Sequence, residues 1–187
     1  MMIKKIVLSV AVLGLLGGGF FYWWNNQTDV RELNKTLPKG VKVAKSLFGN
    51  EYSVVNKIDN YSFKVPAEWK GVKEIEYIQN RQVDDYNVAS VGVKGLSGSG
   101  TILSLDVYSG IQPDINLEQW AANLFSKFEL TGEFKKQDMG IFPVVKVKEE
   151  EHLGGTYVYF LKNNSKIYVI NGGSEEFIKE IILNGKW

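Results

Sequence analysis

Hydrophobic and polar positions along this chain change their spacing several times, and each change predicts an element. Ile6 through Trp24 is an uncharged apolar run. At about 1.5 Å of rise per helical residue it spans roughly 30 Å, the thickness of a bilayer's hydrocarbon core. From Asn25 to about Asn50 the sequence is polar and basic, broken by Pro38, Gly40 and Gly49, and its apolar residues are too scattered to form a helical face. That stretch reads as a tether with one short helical turn. Tyr52 to Val55 and Tyr61 to Val65 then read as strands on either side of a polar hairpin loop, Lys57 to Asn60. Tyr61, Phe63 and Val65 share one strand face, and Pro66 ends the ladder because it has no N–H to donate.

Further strands are predicted at Glu74 to Ile78, Val88 to Val93 and Thr101 to Tyr108. The last two form an antiparallel hairpin whose glycine-rich tip runs from Gly95 to Gly100. A helix follows, with Asn116 as N-cap and Gln119 at the capping-box position. Leu117, Trp120, Ala121, Leu124, Phe125 and Phe128 recur at helical spacing and make one broad apolar stripe for packing on a sheet. Strand patterns return at Glu133 to Gln137, leading into Val144 to Lys148, then at Thr156 to Leu161 and Lys166 to Ile170, the last two joined by Asn163-Asn164-Ser165. A closing helix begins at the N-cap Ser174, carries Glu175 and Glu176 at its positive end, and places Phe177, Ile178, Ile181 and Ile182 on one side before Asn184-Gly185. The order strands, helix, strands, helix predicts an α+β fold, an antiparallel β-sheet flanked by helices, rather than a doubly wound parallel sheet.

Charge orients the apolar run. Lys4 and Lys5 precede it, whereas Asp29, Arg31 and Glu32 follow with no basic excess, so the positive-inside rule places the N-terminus in the cytoplasm and the rest of the chain outside. Ile6 opens the membrane segment; Trp23 and Trp24, with Tyr22, fit the far interface. Gly14 and Gly18 have the G-x-x-x-G spacing that permits close helix pairing. A cleaved signal peptide shares the basic start and could be cut at Gly17 to Gly19. The run's continuation through Phe20 to Trp24 exceeds the roughly 7–15-residue signal core and favours retention. The expected organisation is a cytoplasmic N-terminus at 1–5, a transmembrane signal-anchor at 6–24, a tether at 25–50 and one α+β domain at 51–187.

Lys and Arg total 22 against 21 Asp and Glu, a formal net charge of +1, so no basic excess points to nucleic acid. The chain has no Cys, which rules out disulfide staples, thiolate catalysis, Cys-based metal sites and a lipoprotein anchor. N-x-S/T triplets stand at Asn26, Asn34, Asn60 and Asn163, and matter only in a glycosylating secretory pathway.

The stretch Asn60-Tyr61-Ser62-Phe63-Lys64-Val65-Pro66-Ala67-Glu68-Trp69 resembles the opening of PsbP-like domains, which runs aromatic, small, Phe, basic, apolar, Pro, two residues, Trp. That family includes photosystem II accessory proteins and membrane-anchored bacterial relatives. The likeness continues in the helix around Trp120, in Gly140-Ile141-Phe142-Pro143-Val144, in the Tyr157 to Ile170 hairpin and in the C-terminal helix, spanning roughly Tyr52 to Trp187. The resemblance implies an antiparallel sheet sandwiched by helices. It also implies a binding or scaffolding role, since no catalytic motif unites the family. On packing grounds alone, Phe63 and Trp69 are core residues.

Candidate chemistry is sparse. His152 is the only histidine and follows Glu149, Glu150 and Glu151. In a strand, only Glu150 shares its face, so a metal site there needs Asp84, Asp85 or another distant carboxylate, and a solvated strand end is the expectation. No serine sits in a G-x-S-x-G elbow, and the Gly95 to Gly100 tip lacks the Gly-Lys-Ser/Thr ending of a phosphate loop. The sequence thus predicts a membrane-anchored, non-catalytic binding or scaffolding domain with no cofactor. The lipid bilayer contacts its N-terminal helix, and a protein or envelope component contacts its folded part. Two alternatives stay open. One is a small-ligand or metal-binding module using Tyr157, Tyr159 and Tyr168 beside Trp69 or Trp120; the other is a carboxylate-based hydrolase.

Overall fold

The computed structural model describes residues 25, 27–46, 51–96, 102–140, 142–149 and 156–187. Ile6, Trp23 and Trp24, the G-x-x-x-G pair, the tip residues 97–100, and Glu150 to His152 lie outside the described residues. Among those described, no helix is long and apolar enough to cross a membrane.

Among the described residues, two antiparallel sheets and three α-helices make up the fold. The smaller sheet has the order β1-β2-β3, from Val41–Lys45, Tyr52–Asn56 and Tyr61–Val65. The larger joins β4 (Val72–Val83), β5 (Tyr86–Gly95), β6 (Ile102–Ser109), β7 (Gly132–Met139), β8 (Phe142–Glu149), β9 (Tyr157–Asn163) and β10 (Lys166–Asn171) in the order β4-β5-β6-β10-β9-β8-β7. Helix α1 is Thr28–Asn34, α2 is Leu117–Lys127 and α3 is Glu175–Asn184. The predicted α+β class with antiparallel pairing is what the chain forms, with the strands divided between two sheets.

Alternation along the strands of the large sheet feeds two cores. On one face Val91, Leu103, Leu105, Tyr159, Leu161, Tyr168 and Ile170 meet the small sheet and α3. On the other, Val88, Tyr108, Val147, Val158, Phe160 and Ile167 meet Leu117, Trp120, Ala121 and Phe125 of α2. Both caps are formed: Asn116 Oδ1 accepts from Gln119 N at 3.1 Å, and Ser174 Oγ accepts from Phe177 N at 3.3 Å. Trp69 stacks on Phe177 of α3 with ring centroids 4.7 Å apart. A β-carbon at Gly95 would lie 2.7 Å from that indole, so the absence of a side chain lets strand β5 pass beneath Trp69. The terminal Trp187 is also core: its Nε1 donates to Ile182 O at 3.0 Å, and its ring packs on Tyr61 and Tyr168.

The tether expected at 25–50 is in large part folded. Val30 of α1 and Val41 and Val43 of β1 are buried, and β1 pairs with β2 from Val41↔Asn56 to Lys45↔Tyr52. Asn34 exchanges two side-chain hydrogen bonds with the Val43 backbone, at 2.8 and 2.7 Å. Asp29 accepts from the Tyr52 hydroxyl, from Lys45 Nζ at 3.3 Å and from Val30 N at 2.9 Å. Periodicity missed this segment because α1 buries a single residue and depends on tertiary hydrogen bonds. Strand β4 runs to Val83, past the predicted stop at Ile78, through a register shift between Ile78 and Arg81. Phe128, predicted on the α2 stripe, falls beyond the last helical turn and is 54% exposed.

Strand register sorts the loops to two ends. At the proximal end the described domain begins: Gln27 Nε2 donates to Lys45 O at 3.4 Å, Tyr52 reaches Asp29, and Leu96 N donates to Trp69 O at 3.1 Å. At the distal end lie the β2–β3, β4–β5, β7–β8 and β9–β10 turns. The pairs Lys166↔Ser109 and Asn87↔Ser109 bring the turn-proximal ends of β10, β6 and β5 together, and Lys166 Nζ ties the β2–β3 turn to them through Asp59 O at 2.7 Å.

Candidate functional site

A solvent-open cleft of about 610 Å³ lies at the distal end between the start of α2 and the β7–β8 hairpin. That volume falls in the range of small-ligand and peptide-anchor pockets. Its walls form for local reasons. Gly140, at φ 85°, turns β7 into β8, and the register Met139↔Phe142, Asp138↔Pro143 presents Phe142 and Pro143 at the rim. On the opposite wall, Ile111 N donates to Ser165 O at 3.0 Å. Lys162 Nζ donates to Pro113 O and, at 3.3 Å, to Ile115 O. These bonds pin the loop before α2 against β9 and fix where Ile115, Asn116 and Leu117 begin the helix.

The cleft mixes apolar and polar walls. Ile115, Leu117, Phe142 and Pro143 are its apolar side, while Lys136 pairs with Glu118 across it at 3.0 Å. Gln137 also borders it, but its side chain shares the opposite face of the sheet with Met139 and its strand partner Val144, where its Oε1 is buried. The carboxylates on the cleft are Glu118 and Asp138, and the first is engaged by Lys136.

A second polar group near this end is structural. Asp59 accepts from Asn56 Nδ2 and Tyr77 Oη, each at 2.7 Å, and Asn56 Oδ1 accepts from the Ile58 and Asp59 amides at 2.9 Å. Burial, reinforced by the bond to Asp59, pushes the Tyr77 hydroxyl pKa above its ordinary value, so the phenol stays a donor. This network locks the β2–β3 turn between the sheets.

The residues nominated from sequence are dispersed. Asp84 and Asp85 sit on the β4–β5 turn, where Asp84 pairs with Lys127. Strand β8, which leads towards His152, lies four strands away from β5, about 19 Å at the usual spacing. Glu149 is fully buried at the end of β8. Among the described residues no group of three or more His, Asp or Glu is placed to hold a metal. Tyr159 and Tyr168 are buried on the same side of the large sheet as Trp69, and Trp120 packs on the other side against Tyr108 at 5.0 Å. Only Tyr157 is half-exposed, with Lys146 Nζ 4.0 Å from its ring centre. Of the N-x-S/T asparagines, Asn34 and Asn163 spend their side chains on internal bonds to Val43 and Trp187, and Asn60 is exposed.

Sequence reasoning missed the cleft, although Gly140-Ile141-Phe142-Pro143-Val144 had marked one of its walls. No protein-family model matches this chain, nor does any curated protein or solved structure.

Proposed function

We propose that this chain is a membrane-anchored, non-catalytic binding domain, PsbP-like in character, that offers its distal cleft to a protein partner on the outer side of the membrane. One observation carries the reading: the cleft opens at the end of the sheets opposite the one where the chain enters the domain at Gln27. A domain held at its proximal end by Ile6 to Trp24 would present Phe142, Pro143 and Ile115 away from the bilayer. The Lys4-Lys5 start favours the outer side, and the resemblance of Asn60 to Trp69 to the PsbP-like opening favours scaffolding over catalysis. An apolar rim beside the exposed Lys136–Glu118 ion pair suits a peptide segment that brings a hydrophobic side chain flanked by polar groups.

A photo-crosslinking residue placed at Lys136, in the full chain on native membranes, tests this. A reproducible protein adduct is expected from that position and not from Glu74, an exposed site on β4 away from the cleft. No adduct at Lys136, or the same adducts from both positions, overturns the proposal.

A further inference from the structure

The first folded residues follow the apolar run almost without interval. Gln27 stands three residues after Trp24, a reach of about 10 Å at full extension, and it is bonded to the β1 backbone through Lys45 O. The contacts then run continuously across the proximal end. Asp29 in the first turn of α1 accepts from the Tyr52 hydroxyl. The side chains of Tyr52 and Leu96 meet over Gly71, where an added β-carbon would lie 3.0 Å from Tyr52 and 2.8 Å from Leu96. Leu96 itself is 52% exposed, with its backbone N–H held by Trp69 O and Gly71 O. An exposed leucine on a fixed backbone, linked through two side chains to the point where a membrane segment would emerge, is placed to meet that membrane.

We infer that the proximal end of the domain rests on the bilayer surface, with Leu96 entering the lipid headgroup layer and α1 held against the membrane. This rests on reading Ile6 to Trp24 as a retained anchor. The exposed charges around Leu96 are of both signs, Lys64, Lys70 and Lys73 with Glu51, Glu68 and Glu74, and Lys64 pairs with Glu51 at 3.6 Å. The short connection and the apolar tip therefore drive the contact rather than anionic lipid, and it forms on zwitterionic membranes. The consequence is orientation. A long tether would let the cleft sweep freely, whereas a seated domain holds the cleft at a fixed height and direction.

The chain contains no Cys, so one label reports one place. The full-length protein carrying Leu96→Cys, or Ser165→Cys on the distal β9–β10 turn, is labelled with an environment-sensitive fluorophore. Each is reconstituted in phosphatidylcholine vesicles containing a headgroup-nitroxide lipid. Flotation reports anchoring and quenching reports contact. The expected result is flotation of both proteins, with the label at position 96 losing most of its emission and the label at 165 losing almost none. Flotation with equal quenching at the two positions overturns the seated domain while sparing the anchor. Failure to float overturns the anchor, and this inference with it.

Discussion

Glu175 opens α3 with its carboxylate between two ammonium groups, Lys146 Nζ at 2.6 Å and Lys179 Nζ at 2.7 Å. Those two hydrogen bonds, that from Lys146 first, outweigh burial and bring its pKa from the ordinary 4.5 to about 2. The helix N-terminus favours the same charge. Since the folded pKa lies below the unfolded one, the ionised carboxylate stabilises the fold. The contribution is complete above about pH 4.5 and is lost as the pH falls through about 2. Glu175→Gln is therefore expected to lower the urea midpoint at neutral pH, and the gap to the parent protein should close as the solution is acidified through that window. A gap that stays constant would assign the loss to packing of the side chain rather than to its charge.

At the scale of elements, legibility followed the locality of the signal. Helices α2 and α3 were readable because cap and apolar stripe lie within one stretch, Asn116 with Leu117 to Phe125 and Ser174 with Phe177 to Ile182. The hairpins β2–β3 and β9–β10 were readable from alternation around a polar turn. Helix α1 and strand β1 were not, because what orders them lies elsewhere: Tyr52 for Asp29, and the small sheet for Val41 and Val43. The cleft was illegible for the same reason, since its walls are joined by Lys162 of β9 reaching Pro113 and Ile115. This dependence makes α1 sensitive to one side chain. Asp29→Ala leaves the Tyr52 hydroxyl without its acceptor, and Lys45, whose side chain is 9% exposed, without its ion-pair partner, at an expected cost of about 2 kcal/mol. Tryptic cleavage at Lys35 or Lys39 should accelerate while the sheets stay intact. Unchanged cleavage would mean that burial of Val30 alone holds the helix.

Across the whole molecule, the two cores are not independent, because the same strands serve both. In β9, Val158 and Phe160 face α2 while Tyr159 and Leu161 face the small sheet and α3. Neither cover can leave its face without exposing strands that the other needs, so unfolding is expected to be one transition, as in most single domains of this size. Such coupling would also keep the distal cleft in register with the proximal end, since both are built on strand ends of the one large sheet. The test is to weaken one face and read the other. Val158→Ala removes buried methyl groups from the α2 side and should cost about 2 kcal/mol. Hydrogen exchange followed in rising denaturant should then show the most protected amides of α2, of α3 and of β2–β3 all losing the same free energy of opening. If α2 alone lost protection, the α2 face would be a separate unfolding unit, and the cleft it lines would move independently of the rest.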